Sequence, residues 1–222
     1  MKRALIALIS VLGAVCAANA QFFDTSRSED FFRLGVRVGF NMSNVSANSN
    51  NFVMSHDSWG SGFEGGVVAD ISLREWFSLQ PGIFYQSRSN SYTHIRGIGA
   101  DQTMRVGHTL YYSFYIPVMF VGRFNLADRW RWSVEAGPYL SLGVGHNDNG
   151  LEVIGDQEVK YHDGYFDNRK KNVWGLKFGT GIEYDNHYYL GIHYMAGFGD
   201  PWKYADVSGR NKAWTFTLGY NF

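Results

Sequence analysis

The chain has little cysteine, little proline and no excess of one charge. Its 222 residues include 1 Cys and 4 Pro, and 20 Lys and Arg balance 20 Asp and Glu. Cys16 lies near the N-terminus, before a predicted cleavage site, so the remaining chain has no disulfide or thiol chemistry. The charge balance excludes the basic surface of a nucleic-acid-binding protein. The lack of a long apolar run argues against a helical membrane protein.

Glycine and aromatic residues are abundant instead, at 26 Gly and 17% aromatic. In the last residues, Trp214, Phe216, Leu218, Tyr220 and Phe222 alternate with small or polar residues, which predicts a strand with one apolar face. In a bacterial outer membrane, lipid covers such a face. We interpret the terminal Phe222 as the C-terminal signal of an outer membrane barrel.

The N-terminus predicts export. Lys2 and Arg3 precede an apolar run and then Ala18-Asn19-Ala20, the pattern of a Sec signal peptide over residues 1–20 that is cleaved before Gln21. Cys16 raises the alternative of a lipoprotein, which is less favoured because Val15 stands where a small residue is expected. We expect a short periplasmic lead-in over 21–31 and one barrel domain over 32–222.

Eight segments alternate apolar with polar or small residues, and they predict an all-β fold, an eight-stranded antiparallel up-and-down transmembrane β-barrel. The connections predicted to be long alternate with short turns, which places both termini in the periplasm. The predicted segments are 32–42, 63–71, 77–87, 110–124, 131–144, 173–184, 188–196 and 214–222, and the predicted long loops are 44–61, 89–108, 146–171 and 199–211.

Three prolines oppose this pattern. Pro81, Pro117 and Pro138 lie inside predicted strands, where proline removes a hydrogen-bond donor from the ladder. A closed barrel has no edge strand to hold them, so we expect local β-bulges at these positions.

Several short motifs occur in order along the chain: Gly62-Phe63-Glu64-Gly65-Gly66, Leu79-Gln80-Pro81-Gly82-Ile83-Phe84-Tyr85, Tyr115-Ile116-Pro117-Val118, Ala136-Gly137-Pro138-Tyr139 and Gly179-Thr180-Gly181-Ile182-Glu183-Tyr184. Together they resemble the PorT-like outer membrane β-barrel family of Bacteroidetes, over essentially the whole mature chain. The resemblance implies an eight-stranded barrel in the outer membrane of a Gram-negative cell, with prolines recurring in the strands. It implies no catalytic residues. One family member assists type IX protein secretion, a role that we do not transfer to this chain.

Charged residues fall on the predicted lumen face: Arg37, Glu64, Asp70, Arg123, Glu135, Lys177 and Glu183. An eight-stranded barrel is just wide enough for side chains to fill, and buried charges must be paired. We therefore expect a lumen ionic cluster of Arg37, Glu64, Glu135, Lys177 and Glu183, in which Arg37 and Lys177 pair with the carboxylates. The alternative is a narrow gated ion path.

The sequence predicts no enzyme, cofactor or metal site. The 7 His residues lack metal-ligand spacing, and no nucleophile–base pair can be placed, since His193 should face the lumen. We expect a non-enzymatic barrel with a structural, adhesion or assembly role through its extracellular loops. A small channel or porin-like transporter is the alternative, and a lipid-modifying enzyme is the second alternative.

The expected surroundings are outer membrane lipid and lipopolysaccharide, the barrel assembly machinery during insertion, and a protein partner at the outer loops. A basic second loop (Arg88, His94, Arg96, Arg105) and an acidic third loop could pack together or meet that partner. Two aromatic girdles are predicted at the membrane interfaces. The periplasmic girdle is Trp76, Phe77, Phe124, Trp130, Trp132, Tyr184, Tyr188, Tyr220 and Phe222, and the outer girdle is Tyr85, Tyr111, Tyr112, Trp174, Phe198 and Trp214.

Overall fold

A computed structural model describes residues 31–46, 48–49, 52–97, 102–154, 157–163, 170–198 and 207–222. The predicted signal peptide and nearly all of the predicted lead-in lie outside these residues. No helix in the described part of the chain is long and apolar enough to cross a membrane.

The described chain consists of β-strands. Their bounds are β1 Phe32–Val45, β2 Asn48–Ser49, β3 Phe52–Arg74, β4 Phe77–Arg96, β5 Thr103–Ala127, β6 Trp130–Ile154, β7 Gln157–Asp163, β8 Asn172–Tyr184, β9 Tyr188–Gly197, β10 Val207–Ser208 and β11 Asn211–Asn221.

Eight of these strands close into a ring, which confirms the predicted barrel. Each ring strand pairs antiparallel with its neighbours in the chain, and β5 pairs with β6 to continue the sheet. The seam forms between the first and last strands, where Gly35 pairs with Asn221 and Val45 with Asn211. The β7 strand adds to β6 above the ring, and β2 pairs with β10.

The predicted inward and outward faces are confirmed by burial. In β11, Trp214, Phe216 and Leu218 are exposed while their neighbours Ala213, Thr215 and Thr217 are buried. The buried set of the molecule is largely polar, and its small apolar cluster contains Phe84, Tyr115 and Met195 among others. An apolar exterior around a polar interior is the arrangement of a barrel whose outer layer is lipid.

The prediction of long loops at 44–61, 89–108 and 146–171 is wrong in large part, because strands occupy most of the described residues in these ranges. Strands β3, β4, β5 and β6 have 23, 20, 25 and 25 residues, whereas about 9–11 residues cross a bilayer. Strands β1, β8, β9 and β11 have only 14, 13, 10 and 11. One side of the barrel therefore continues upward as a sheet, whereas the described strands of the other side end near the membrane. We call the upper parts of β3 to β6 together with β7 the outer sheet, which covers residues 52–60, 89–96, 103–110, 147–154 and 157–163.

The bulges expected at the prolines are not found. Pro81 pairs with Val118 and Pro117 with Tyr139, and the register on either side of each gap in pairing is unchanged. Register shifts lie at other positions, for example between Tyr112 and Ser113 where β5 pairs with β6. A proline at these positions interrupts the ladder without adding a residue to the strand.

Short turns close the opposite end of the barrel. At the β8–β9 turn, Asp185 and Asn186 have φ values of 53° and 61°, and the His187 amide donates to Tyr184 O at 3.2 Å. Two successive left-handed residues are typical of a hairpin turn that matches strand twist. Aromatic contacts such as Trp130–Tyr184 and Tyr188–Tyr220 run along this end.

The outer girdle needs one correction. Tyr85 and Tyr112 stack on the lipid face, and Trp174 contacts Phe198. Tyr111, however, is 8% exposed and faces the lumen, because it alternates with the outward Tyr112 along β5. The outer girdle is therefore Tyr85, Tyr112, Trp174, Phe198 and Trp214.

Candidate functional site: a filled lumen below an extramembrane sheet

Arg123 joins two carboxylates at the periplasmic end of the lumen. It donates to Asp70 Oδ2 at 2.6 Å, to Glu183 Oε1 at 2.9 Å and to Ser78 Oγ at 2.6 Å. Arg33 bonds the same Asp70 oxygen at 3.1 Å, and Arg131 bonds Glu183 Oε2 at 3.0 Å. The five charged groups form a continuous network across the barrel, and the three central ones are almost fully buried.

A second cluster lies above this network, around Glu135. The Ser133 and Tyr189 hydroxyls donate to Glu135 Oε1 at 2.8 and 2.7 Å. His193 Nε2 lies 3.0 Å from Glu135 Oε2 and 3.1 Å from the Tyr189 hydroxyl. Every member is buried, so both oxygens of this carboxylate are satisfied by the wall that encloses them.

Arg37 and Lys177 are buried in the lumen, but they do not make the ion pairs predicted for them. Arg37 donates to Asn221 Oδ1 at 2.7 Å and lies over the Tyr189 ring at 4.5 Å. Lys177 donates to the Tyr115 hydroxyl at 3.2 Å and lies over the Phe84 ring at 5.2 Å. Neither has a carboxylate oxygen within 4.0 Å in the described part of the chain.

The structure thus divides the predicted ionic cluster. Glu183 belongs to the Arg123 network and Glu135 to the His193 cluster. Glu64 is buried beside Tyr115, yet neither of its oxygens has a hydrogen-bond partner of acceptable geometry among the described residues. Arg33 and Arg131, which the sequence analysis left out, complete the lower network. The alternation of Arg33 with Arg37 along β1 was the signal that could have identified Arg33.

Arg88 lies in the lumen rather than in the basic loop predicted for it. It is 3% exposed and donates to Gln86 Oε1, to Asn211 Oδ1 and to the Met195 sulfur. These bonds connect β4 to β9 and β11 across the outer mouth, so Arg88 helps to close the barrel at that end.

Large side chains leave little room in the lumen. A cavity of about 20 Å³ available to the centre of a water molecule lies among Arg37, Glu135, Lys177 and Tyr189. Because a buried water needs about 10–15 Å³ by this measure, the cavity holds roughly one water. Two lumen glycines do not leave empty space, since a Cβ at Gly191 would overlap the Tyr189 hydroxyl and one at Gly219 would overlap Arg37 Cδ.

Cross-strand polar contacts stiffen the outer sheet. Arg105 on β5 makes two hydrogen bonds to the Glu152 carboxylate on β6, at 2.9 and 3.2 Å. The Tyr92 hydroxyl donates to Asp148 Oδ1 at 2.8 Å, and His94 lies 3.2 Å from Asp57. Basic and acidic side chains of the second and third predicted loops therefore meet each other.

The histidines do not form a metal centre in the described part of the chain, where no group of three His, Cys, Asp or Glu could hold an ion. His193 faces the lumen as predicted, whereas His56, His108 and His187 are exposed. Phe222 is 70% exposed on the lipid side, and its amide donates to Leu34 O at 2.8 Å across the seam.

Comparison with known proteins agrees with this geometry. The sequence model of the outer membrane protein beta-barrel domain family matches residues 19–201. A search of curated proteins finds no match.

Among solved structures, the chain is similar to Ail, the attachment invasion locus protein of Yersinia pestis, at 13% identity, covering 86% of this chain and 99% of Ail with a TM-score of 0.39. It is similar to Neisserial surface protein A at 14% identity, with 84% and 97% coverage and a TM-score of 0.40. It is similar to OprG of Pseudomonas aeruginosa at 11% identity, with 92% and 99% coverage and a TM-score of 0.41.

Proposed function

Because the chain belongs to the outer membrane protein beta-barrel domain family and is located in the cell outer membrane, we propose that it acts outside the membrane, through its outer sheet, as a non-enzymatic adhesion or assembly protein. The observation that supports this most directly is the division of the molecule into a filled lumen and a hydrogen-bonded sheet above it. A wall of paired strands presents a fixed surface, at a lower ordering cost on binding than a set of free loops.

The lumen chemistry supports a structural part for the barrel. Glu135 and His193 resemble the acid and base of a hydrolase, but Tyr189 and Ser133 occupy the remaining carboxylate contacts and all four groups are buried. The cavity that adjoins them among the described residues holds roughly one water, so we propose no enzymatic role. The proposal includes a protein partner at the outer sheet, and contact with the barrel assembly machinery through the C-terminal strand during insertion.

Two finer assignments are also part of the proposal. The ordered proline and glycine motifs support membership of the PorT-like group of Bacteroidetes within the wider family. The Ala18-Asn19-Ala20 pattern supports export with a cleaved signal peptide.

A photo-cross-linking residue in the outer sheet tests the proposed role. We would place it at His56, His108 or Glu158, which are exposed there, with His187 in the short β8–β9 turn as the control. Cross-links to one defined protein from the outer-sheet positions alone are expected. A second variant, in which short turns replace residues 90–109 and 147–169, should insert normally but lose the cross-linked partner and any adhesion.

A small channel is the second candidate. It is favoured by buried polar atoms in the lumen without a partner among the described residues, such as the Glu64 oxygens, the Tyr139 hydroxyl and Thr215 Oγ1, because water can occupy such positions. Absence of cross-links at the outer sheet, together with steady currents through the wild-type protein in planar bilayers, would replace our proposal with this one.

A further inference from the structure

Four exposed cations lie at the outer rim on the short side of the barrel, Lys171 and three others. Lys170 precedes β8, Arg210 precedes β11, and Lys212 is the second residue of β11; all three are exposed. We call these three residues the basic collar. No carboxylate lies within 4.0 Å of any of them in the described ranges, so the collar presents positive charge that its described neighbours do not neutralise.

The backbone fixes the position of the collar. The Ser46 amide donates to Arg210 O at 3.0 Å, and the Arg210 amide donates to Ser46 Oγ at 3.0 Å. Lys212 is held in the ladder between Asn44 and Ala196. Near Lys170, the Gly143 amide donates to Lys171 O at 2.7 Å. The collar is therefore carried by strand ends rather than by free loops.

The collar lies just above the outer girdle. Lys212 faces outward two residues beyond Trp214, which places it about 7 Å further along the strand. Lys170 precedes Trp174 by four residues, or about 13 Å along the chain. Trp174 and Trp214 are both exposed to lipid, and interfacial tryptophans lie at the level of the headgroups. The charged ends of the collar thus reach the headgroup layer or the zone immediately above it.

The tall side of the barrel has no described cation in the row just above the girdle. The first row above Tyr112 contains Ser89, Leu110 and Asn147, which are uncharged. On that side the outer sheet continues upward, whereas the described strands β8, β9 and β11 end at the rim. The collar therefore adds positive charge at a level where the first row of the tall side carries none.

We propose that the basic collar binds the phosphate groups of the outer-leaflet glycolipid, the lipid A of lipopolysaccharide. Lysine and arginine form charge-assisted hydrogen bonds to phosphate oxygens, and each cation near an anionic membrane surface strengthens binding. Lysines that only extend from the lipid face into water would need no phosphate. The proposal that the collar binds lipid A depends on the membrane location of the barrel. It does not depend on the proposed protein partner at the outer sheet.

Co-purification of lipid A with the protein, measured by native mass spectrometry, tests whether the collar binds phosphate groups. The folded full-length protein would be offered bisphosphorylated lipid A, dephosphorylated lipid A, or inorganic phosphate. The wild-type protein should retain the bisphosphorylated lipid, and it should retain it far better than the dephosphorylated form. The variant Lys170→Gln/Arg210→Gln/Lys212→Gln should bind it about 100-fold more weakly, from the typical contribution of one cation multiplied over three.

A charge-matched control separates the effect of losing the collar from the effect of a change in net charge. Arg74→Gln/Arg129→Gln/Lys160→Gln removes the same three positive charges from two short turns and the outer sheet, at exposed positions, and should keep wild-type retention. Heat-dependent mobility of both variants verifies that they are folded. Equal retention by the collar variant and the wild type, equal binding of the dephosphorylated lipid, or full displacement by millimolar inorganic phosphate would each overturn the proposal.

Discussion

Arg123 connects three strands across the lumen, since it binds Asp70, Glu183 and Ser78 at once. A buried ion pair adds little when complete, because desolvation offsets the attraction, but removing one partner leaves a buried charge unpaired. The network therefore affects stability mainly through the cost of a buried charge that is left unpaired when one member is lost.

We predict that Arg123→Met destabilises the barrel by about 3–5 kcal/mol, because it leaves two carboxylates without their shared partner. Arg105→Met is the control, since Arg105 also binds a carboxylate but is 44% exposed, and exposed pairs contribute about 1 kcal/mol or less. Urea unfolding in lipid vesicles, followed by tryptophan fluorescence, gives both values. Similar losses for the two variants would contradict a buried network.

Gly191 and Ser141 both face the lumen, and the alternation pattern alone predicts that alanine is harmless at either position. The structure separates them, because a Cβ at Gly191 would overlap the Tyr189 hydroxyl, which is held by Glu135 and His193. We predict that Gly191→Ala costs about 1–3 kcal/mol through this overlap, while Ser141→Ala costs clearly less. The same unfolding assay compares them, and equal costs would mean that Tyr189 moves freely.

At the scale of the strands, the membrane-spanning parts could be predicted from the sequence and the outer sheet could not. Within the bilayer, lipid and lumen impose opposite polarity on alternate residues, so burial followed the predicted faces in all eight ring strands. Above the bilayer both faces meet polar surroundings, and the alternation disappears. A stretch such as Ser91-Tyr92-Thr93-His94 then looks like a loop although it is paired on both sides.

The side-chain contacts within the lumen could not be predicted from the sequence either. Alternation places Arg37 and Lys177 inside, but the contacts of a long side chain depend on which strands face each other across the barrel. Arg37 reaches Asn221 across the seam, 184 residues away along the chain. Such a contact follows from register and closure, which no local pattern encodes.

The lipid-facing side of a strand can be tested by introducing a charge. Leu140 on β6 faces outward and is 42% exposed, and we predict that Leu140→Arg costs about 2–4 kcal/mol if this position lies near the middle of the bilayer. The adjacent lumen change Ser141→Ala is the control, with a much smaller loss expected in the same unfolding assay. A Leu140→Arg protein as stable as the wild type would mean that this face does not meet lipid.

At the scale of the molecule, the orientation of the barrel, with the outer sheet outside the cell and the short turns in the periplasm, predicts a labelling pattern. The proposed mature chain has no cysteine, so single cysteines at His56, His108 or Glu158 should react with an impermeant maleimide on intact cells, because all three are exposed in the outer sheet. Cysteines at Arg74, the last residue of β3, or at Asn186 in the β8–β9 turn should react only after the outer membrane is opened. Uniform labelling of both groups would contradict the orientation.

The filled lumen predicts little or no conductance. Arg88 closes the outer mouth, the Arg123 network closes the periplasmic end, and the cavity between them holds roughly one water. Planar-bilayer recordings of the wild-type protein should therefore be silent. Arg123→Met should be the variant most able to pass a small current, and large stable openings of the wild type would contradict the filled lumen.

The seam between β1 and β11 determines when the chain becomes a barrel. Its paired residues are separated by nearly the whole described sequence, from Gly35 with Asn221 to Val45 with Asn211. Contacts so distant in sequence form slowly, because a long loop must close before they can form. Until the C-terminal strand arrives, the first strand and the last inserted strand both keep open edges in a medium without water to satisfy them. Each chain therefore closes into a barrel only after β11 has been made, and a chain that lacks β11 is expected to be a substrate for proteolysis rather than a smaller barrel.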